Sequence, residues 1–251
     1  MTVRKWVWLL AALLPLGAAA QGKPVDSVLV TAEHSSLDKG LASWSEYSAH
    51  WLHDWGGHRV LDTALTRTSR FGLEDTQASL AYATPLMPRL AGSLEATASG
   101  SHHVLPKYSL GGALQYEFAP AWLLHGGLKH TRYDGADVER GTLRLEHYFG
   151  DFSASAAWSP VRSAGTSASG TEVRGSWFYR DGSSVGFILA RGDEATVTAP
   201  GVVTLADVRS LALLGKHEFR PGLAFAWSLF RTRQGNFYTR EGASVGVQAA
   251  F

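Results

Sequence analysis

Residues 108–132 read YSLGGALQYEFAPAWLLHGGLKHTR, and this stretch decides the fold. Ahead of Ala119-Pro120, apolar residues and glycine alternate with polar or small residues at a period of two. That period is typical of a β-strand with one apolar and one polar face, and Ala-Pro is a turn signal. The stretch therefore predicts a β-hairpin. The predicted apolar face of its first strand holds Tyr108, Leu110, Gly112, Leu114, Tyr116 and Phe118.

The same pattern recurs along the chain. Residues 173–180, 223–229 and 243–251 also alternate at a period of two, and the high glycine content disfavours helices. Short turn motifs follow one another at intervals of about 30 residues. Longer polar segments rich in Gly, Ser and Thr lie between them and predict loops, for example at 99–106, 160–170 and 192–203. The chain thus predicts a series of hairpins. The short turns are expected at 55–57, 85–88, 119–120, 150–151, 181–182 and 220–222.

The dimensions of this hairpin unit predict a membrane protein. Each unit holds two strands of about 10 residues, the length of a tilted membrane-spanning strand. Short turns at one end and longer loops at the other are typical of outer-membrane barrels, and so are the aromatic residues that flank the turns. We expect an all-β, antiparallel transmembrane β-barrel with short periplasmic turns and longer extracellular loops. A soluble β-sandwich with core aromatics is the alternative.

Seven hairpins counted from about residue 26 give about 14 strands. An even number places both chain termini at the periplasmic side. The segment 27–34 is the weakest strand in the sequence. If it is a periplasmic tail and another segment is miscounted, 12 strands result.

The N-terminus has the features of a secretory signal peptide. Arg4 and Lys5 precede an apolar run from Trp6 to Leu16, and a small-residue site at 18–20 follows. This order of features predicts a signal peptide that is cleaved after export. A buried N-terminal helix is the alternative. We therefore expect a signal peptide at 1–20, an outer-membrane barrel domain at 21–251, and localisation in the outer membrane of a Gram-negative bacterium.

The composition excludes several functional classes. The chain has no cysteine, which excludes disulfides, thiol nucleophiles and thiolate metal sites. Its net charge of +1 gives no reason to expect nucleic acid as a partner. The chain contains a single asparagine, Asn236, so a catalytic set that needs this residue elsewhere is excluded. No cofactor is expected.

The last residue, Phe251, ends an alternating strand. A terminal aromatic residue on the last strand of a barrel is the usual recognition mark for assembly in the outer membrane. We therefore assign Phe251 as an assembly signal. The expected partners are the barrel assembly machinery, periplasmic chaperones, and outer-membrane lipids including lipopolysaccharide.

Several short motifs resemble the YaiO family of outer-membrane barrel proteins. They are Arg70-Phe71-Gly72 with Asp75, residues 105–109 (LPKYS), residues 126–133 (GGLKHTRY) and residues 148–151 (YFGD). The resemblance covers most of the mature chain and implies an outer-membrane barrel. It brings no reaction with it. Some relatives look like fusions to helical-repeat periplasmic domains, a layout similar to polysaccharide exporters, and this chain shows no such domain.

The polar strand faces predict the residues that line the barrel interior. If apolar faces meet lipid, charged side chains point inward, because a charge facing the middle of the bilayer costs about 2–4 kcal/mol. Such side chains can orient a charged or sugar-like solute, or they can form ion pairs that fill and stiffen a narrow barrel. The expected lumen-lining residues are Gln115, Glu117, Arg140, Arg144, Glu146, Arg174 and Arg180.

The histidines invite a metal or catalytic interpretation, which we do not favour. His102 and His103 are adjacent in a predicted loop, which makes a poor metal site, and none is expected. A serine with a histidine base is the pattern of membrane-embedded lipases. Serines and histidines do lie on neighbouring predicted strands, so the geometry is not excluded. The sequence shows no His-x-Ser motif set in a polar cluster, however, and no catalytic residue is assigned. The candidates are Ser109, Ser153, Ser155, His125, His130 and His147.

Three functions are therefore open. The leading hypothesis is a pore or a solute or polysaccharide conduit. A lipid-modifying enzyme of the outer leaflet is the second, and enzymatic activity is the less favoured expectation. The third is a structural or surface-interaction barrel that binds partners through long loops such as 160–170.

Overall fold

The structure is a computed structural model that describes residues 25–163, 165–199 and 202–251, with backbone only at 194–199 and 202–205. The described residues form fourteen β-strands. No helix among them is long and apolar enough to cross a bilayer. The strands are β1 (Val25–Leu37), β2 (Trp44–Asp54), β3 (Val60–Arg70), β4 (Leu73–Met87), β5 (Leu90–Ser99), β6 (Tyr108–Ala119), β7 (Trp122–Arg132), β8 (Asp137–Phe149), β9 (Phe152–Ser163), β10 (Thr166–Arg180), β11 (Ser183–Ala199), β12 (Val202–Arg220), β13 (Leu223–Gln234) and β14 (Tyr238–Ala250).

The strands close into an antiparallel barrel in which each strand pairs with its neighbours in the chain. The barrel closes where β1 pairs with β14, with Ser27 opposite Ala250 and Val30 opposite Val247. Closure leaves no sheet edge, so strand pairing satisfies the backbone amides that lipid cannot. The segment 27–34 is thus part of a full strand, and the prediction of 14 strands, rather than 12, is confirmed.

The two faces of the strands differ in polarity as the alternation predicts. On β6, the side chain of Leu110 is 56% exposed, whereas its neighbour Ser109 is fully buried. Leu143 and Leu145 on β8 are likewise exposed, and Arg144 between them is half-buried. In a closed barrel one face of each strand turns inward and the other forms the outer wall. The strongly exposed leucines belong to the outer wall, and Ser109 and Arg144 belong to the inward face. The outer face is therefore apolar and the interior polar, as in transmembrane barrels.

An aromatic belt runs along the short-turn end of the outer wall. Trp122 stacks on His147 with ring centroids 4.0 Å apart, and the ring contacts continue through neighbouring strands. Aromatic rings settle where hydrocarbon meets headgroups, so this belt marks one membrane interface. Strand β1 begins and β14 ends at this same end, which is the end predicted to be periplasmic. The later members of the row are Phe149, Phe152, Trp177, Tyr179, His217, Phe219 and Phe225.

The connections at the opposite end are longer on average, but two predicted loops are strand instead. The longest connections there are 38–43 and 100–107. The predicted loops at 160–170 and 192–203 are wrong over most of their length, because β9 pairs with β10 and β11 with β12 almost to their tips. Both segments are rich in polar residues, which is why the sequence predicts loops there. A strand that extends beyond the membrane can be polar on both faces, because no lipid contacts it. The predicted signal peptide at 1–20 lies outside the described residues.

Candidate functional site in the barrel interior

Two arginines and a glutamate form the centre of the polar interior. Arg174 Nε donates to Glu172 Oε1 at 2.6 Å, and Arg144 Nη2 lies 3.4 Å from the same oxygen. Arg144 lies on β8 and Glu172 on β10, so the arginine reaches across β9. The residue between them in the register is Ala157, whose small side chain leaves that path open.

A histidine extends this cluster by one strand. His125 on β7 lies opposite Arg144, and its Nε2 is 2.9 Å from Glu146 Oε2. The side chains of Glu146, Arg144 and Arg174 all belong to the inward face of their strands. Charged groups thus form a connected band on the interior wall from β7 to β10, which we call the β7–β10 charge band.

A second ion pair lies beside this band. Lys129 on β7 pairs with Glu95 on β5, and the residue between them in the register is Gly111 on β6. A Cβ atom added to Gly111 would be 2.7 Å from Glu95 Oε1. The pair therefore passes over a backbone that carries no side chain, which is a close approach that glycine permits.

These interior charges are only partly buried. The side chain of Arg144 is 20% exposed and that of Lys129 is 21% exposed. They face the inside of a closed barrel, so the surface that they expose belongs to a space within it. The middle of the barrel is thus polar, and part of the surface of its charged groups is not covered by other side chains.

At the loop end of the interior, two buried arginines lie over the rings of a buried tryptophan. Trp44 at the start of β2 is buried, with the guanidinium carbons of Arg70 and Arg240 at 4.8 and 5.1 Å from its ring centroids. Glu46 is 3.6 Å from Arg70, and Glu33 is 3.7 Å from Arg240. Cation–π contact and ion pairing offset only part of the loss of water around these arginines, because three nitrogen atoms of Arg240 have no hydrogen-bond partner among the described residues.

Phe71 carries this packing across the barrel. It lies in the turn between β3 and β4, and its ring centroid is 5.3 Å from that of Trp44. The same side chain packs against a buried cluster of Tyr133, Val138 and Val161. Strands β2 and β9 are half a circumference apart in a barrel of fourteen. Phe71 therefore links opposite walls; we call Trp44, Phe71 and the three cluster residues the loop-end plug.

The connection between β5 and β6 closes the same end. The buried carboxylate of Asp75 accepts backbone N–H bonds from Val104 and Leu105 at 2.7 and 2.9 Å, and His103 also contacts it. Val104 and Leu105 are themselves buried. This loop is held down against the barrel, and the Asp75 side chain has a positioning role in the turn.

The seven predicted lumen residues occupy different positions. Arg144, Glu146 and Arg174 belong to the β7–β10 charge band. Gln115 lies opposite His125, and Arg140 lies opposite Lys129, both on inward faces. The remaining two are at the short-turn end: Glu117 accepts a bond from the Ala121 N–H, and Arg180 donates to the Glu218 carbonyl.

Sequence reasoning missed residues that complete these networks. Glu172, Glu95 and Lys129 have the inward parity of their strands, so the alternation could have identified them. The loop-end plug had no such signal, because Phe71 lies in a turn with a φ of 54° that sequence alone does not assign.

Two of the candidate serine–histidine pairs are separated by the barrel wall, whereas Ser155 faces inward opposite Glu146, the partner of His125. Ser109 is opposite Thr131, whereas His130 is opposite Leu110, so this serine and this histidine lie on opposite faces. His147 stacks on the outer wall, while Ser153 faces inward. Among the described residues, no group of three His, Asp or Glu side chains is placed to hold a metal ion.

Comparison with known proteins identifies the family. The model of the YaiO membrane beta barrel domain matches residues 25–191, two thirds of the chain. The chain belongs to the YaiO family. This confirms the resemblance in its motifs. No curated protein matches the chain in sequence.

Solved barrels share the fold of this YaiO-family chain at low sequence identity. The CymD monoaromatic hydrocarbon channel superposes with a TM-score of 0.60 at 9% identity, covering 92% of this chain and 89% of the other. The COG4313 outer membrane channel from Pseudomonas putida F1 gives 0.57 at 12% identity, covering 94% and 99%. OmpF of Salmonella typhi gives 0.51 at 8%, covering 92% and 98%. The chain is thus an outer-membrane β-barrel that resembles porins and channels.

Proposed function

We propose that this barrel is a channel for small polar or charged solutes across the outer membrane. The observation that carries the proposal is the β7–β10 charge band, whose arginines remain partly exposed inside a closed barrel. Burying charged side chains costs free energy, so their presence in the interior calls for an explanation. A hydrated, charged wall binds and orients solutes that lipid excludes. A barrel of fourteen strands is wide enough for such a space, unlike an eight-stranded one that its own side chains fill.

The loop-end plug gives this channel a closed conformation. Trp44 and Phe71 occupy the interior near the extracellular mouth, and hydrophobic constrictions are a known way to gate a pore. Passage of a solute requires the plug to move. The turn that carries Phe71 has two residues between β3 and β4, so a local change in it displaces the ring.

Planar-bilayer recording tests the channel. Refolded wild-type protein is expected to give discrete conductance steps, and Arg144→Ala combined with Arg174→Ala is expected to change the step size and ion selectivity. Arg162→Ala, an exposed arginine on the outward face of β9, is the matched control and leaves both unchanged. If wild type gives no steps and removal of the plug side chain Phe71 gives none either, the channel proposal is wrong.

A structural barrel is the second candidate, and the plug favours it. The contact of Phe71 with Val138 and Val161 ties opposite walls together, which stiffens the barrel at the expense of an open path. In that case the plug variants lower the free energy of unfolding but produce no conductance. The bilayer and unfolding measurements on the same variants distinguish the two functions.

We also propose the route to the membrane. Residues 1–20 direct export, and Phe251 is recognised by the assembly machinery after periplasmic chaperones deliver the chain. The side chain of Phe251 is exposed, while its backbone forms hydrogen bonds with the backbone of Asp26. The aromatic ring is therefore accessible to another protein. Phe251→Ala is expected to lower the amount of folded barrel in the outer membrane, while Phe219→Ala, an exposed aromatic of the belt, is not.

A further inference from the structure

Four arginines are gathered on the outer wall of β11 to β13. Arg191 lies opposite Arg209, and Arg209 lies opposite Arg233, so three of them form one row across three adjacent strands. Arg231 is two residues from Arg233 and faces the same side. Like charges directly opposite each other on a sheet are destabilising, so this row has an energetic cost within the barrel itself.

The row lies where the apolar wall ends. Leu189, Leu211 and Leu229 are exposed just below it, toward the aromatic belt. Along β12, eight residues of extended strand separate Arg209 from His217 in that belt. At about 3.3 Å per residue and a tilt of about 40°, this spans about 20 Å along the membrane normal. The apolar band of an outer-membrane barrel is about 25 Å tall, so the arginine backbone lies about 5 Å below its outer edge. Long arginine side chains extend toward the interface, which brings the guanidinium groups to the lipid headgroups.

A groove connects the arginines with the apolar wall. It has a volume of about 460 Å³, and most of its lining residues belong to the outer face. Val173 and the leucines form its lower part, and the guanidinium groups form its rim. The outward-facing lining residues are Thr171, Val173, Leu189, Arg191, Arg209, Leu211, Arg231 and Arg233.

Neighbouring carboxylates neutralise only part of this charge. Asp207 is 3.5 Å from Arg209, and Glu241 is 3.3 Å from Arg231. Arg233 donates instead to the carbonyl of Gly235, and no ion pair joins Arg191 to a described residue. The side chains of Arg209 and Arg231 are 55% and 69% exposed, so their donors face outward. The patch therefore carries a net positive charge, and it faces the outer leaflet of the membrane.

We propose that this groove binds the phosphorylated headgroup of an outer-leaflet glycolipid, with the arginines on the phosphates and the leucines against its acyl chains. Guanidinium groups bind phosphate through paired hydrogen bonds, and an apolar surface directly beneath suits only a ligand with a lipid tail. A free phosphate would satisfy the arginines but would leave the apolar half of the groove unused. The row of like charges is then stabilised by its ligand.

Native mass spectrometry of the refolded full-length barrel in detergent tests this assignment. The probe is purified lipid A with two phosphates, compared with its monophosphoryl form and with inorganic phosphate alone. Wild type is expected to retain lipid A and to bind the monophosphoryl form more weakly. Arg191→Ala, Arg209→Ala and Arg233→Ala together are expected to weaken lipid A binding about a hundredfold, since each basic side chain near an anionic surface contributes about a factor of five.

The control carries Arg67→Ala and Arg162→Ala, two outward-facing arginines of β3 and β9, and should bind lipid A as wild type does. Circular dichroism shows whether each variant is folded. If a folded triple variant retains lipid A as wild type does, or if the control loses as much affinity, the assigned groove is wrong. Displacement of lipid A by millimolar inorganic phosphate would show a plain anion site and would also overturn the assignment. This test measures lipid binding and not conductance. Its result therefore does not depend on whether the barrel is a channel.

Discussion

Glu95 and Lys129 form an ion pair over the bare backbone of Gly111, although a whole strand separates the two residues. The pair ties β5 to β7 on the inner wall, and the lack of a side chain on β6 at that place lets the two side chains approach closely over the backbone. Arg144 and Glu172 repeat this arrangement over Ala157. Small residues in the middle of a strand thus decide which charges can meet across the interior.

Gly111→Ala is expected to destabilise the barrel. The new Cβ would lie 2.7 Å from Glu95 Oε1 and 2.8 Å from its Cγ, so the side chain must move away from Lys129. Overpacking of this kind costs about 1–3 kcal/mol. Urea unfolding in lipid vesicles, followed by tryptophan fluorescence, measures the loss in free energy of unfolding.

Gly126→Ala is the matched control for this change. Gly126 lies on β7, and a Cβ atom added there would meet nothing within 4 Å. We expect its free energy of unfolding to equal or slightly exceed that of wild type. Equal stability of the Gly111 and Gly126 variants would mean that the Glu95–Lys129 pair does not depend on the missing side chain.

Glu172→Gln is expected to increase anion selectivity. Glu172 is the shared carboxylate of Arg144 and Arg174, so its neutralisation leaves two inward guanidinium groups without their counter-charge. The reversal potential in a salt gradient across a planar bilayer measures this shift. Glu139→Gln, on the outward face of β8, should leave the reversal potential where it is in wild type. A shift of equal size in both variants would refute a role for the charge band.

The barrel could be predicted from sequence because its physics is local and repetitive. Lipid requires a period of two along every strand, as in Tyr108 to Phe118, and the turns are marked by Gly, Pro and Asp. The charged residues of the inward face followed from the same parity. The pattern could not show that Arg144 and Arg174 share Glu172, because that contact depends on the register of three strands.

The loop-end plug was beyond sequence reasoning for a different reason. Arg240 on β14 meets Trp44 on β2 only after closure of the barrel, whereas Arg70 lies on β3, the strand next to β2. A buried arginine is indistinguishable in sequence from an exposed one. Phe71 was visible only as part of a family motif, and its reach to Val161 on the opposite wall depends on the curvature of the closed sheet.

The contact between two extracellular connections is expected to weaken in acid. Lys107 Nζ is 2.8 Å from Asp134 Oδ1, and His102 Nε2 is 3.2 Å from the same oxygen. The hydrogen bond from Lys107 lowers the pKa of Asp134 below its usual value. A lowered pKa in the folded state means that the contact stabilises fully above the pKa of the unfolded chain, about 4, and is lost as the pH falls through the lower folded value.

Hydrogen exchange of residues 100–107, corrected for the intrinsic rate at each pH, measures this effect. Wild type should keep constant protection above about pH 5 and lose it below pH 4. Asp134→Asn should show the weaker protection at every pH, without the acid transition. An acid transition of the same size in that variant would assign it to another group.

Phe71→Ala is expected to open the extracellular mouth. Its ring lies between Trp44 and the cluster of Tyr133, Val138 and Val161, so its removal takes away a side chain that contacts both walls of the barrel. We expect larger conductance steps in planar bilayers, together with a loss of about 2 kcal/mol in free energy of unfolding, less than for a fully buried phenylalanine because Phe71 is only partly buried. Phe237→Ala, an exposed aromatic in the connection between β13 and β14, provides the control and should change neither quantity. If Phe71→Ala destabilises the barrel but leaves the steps as they are in wild type, the plug is structural and the narrowest part of the path lies elsewhere.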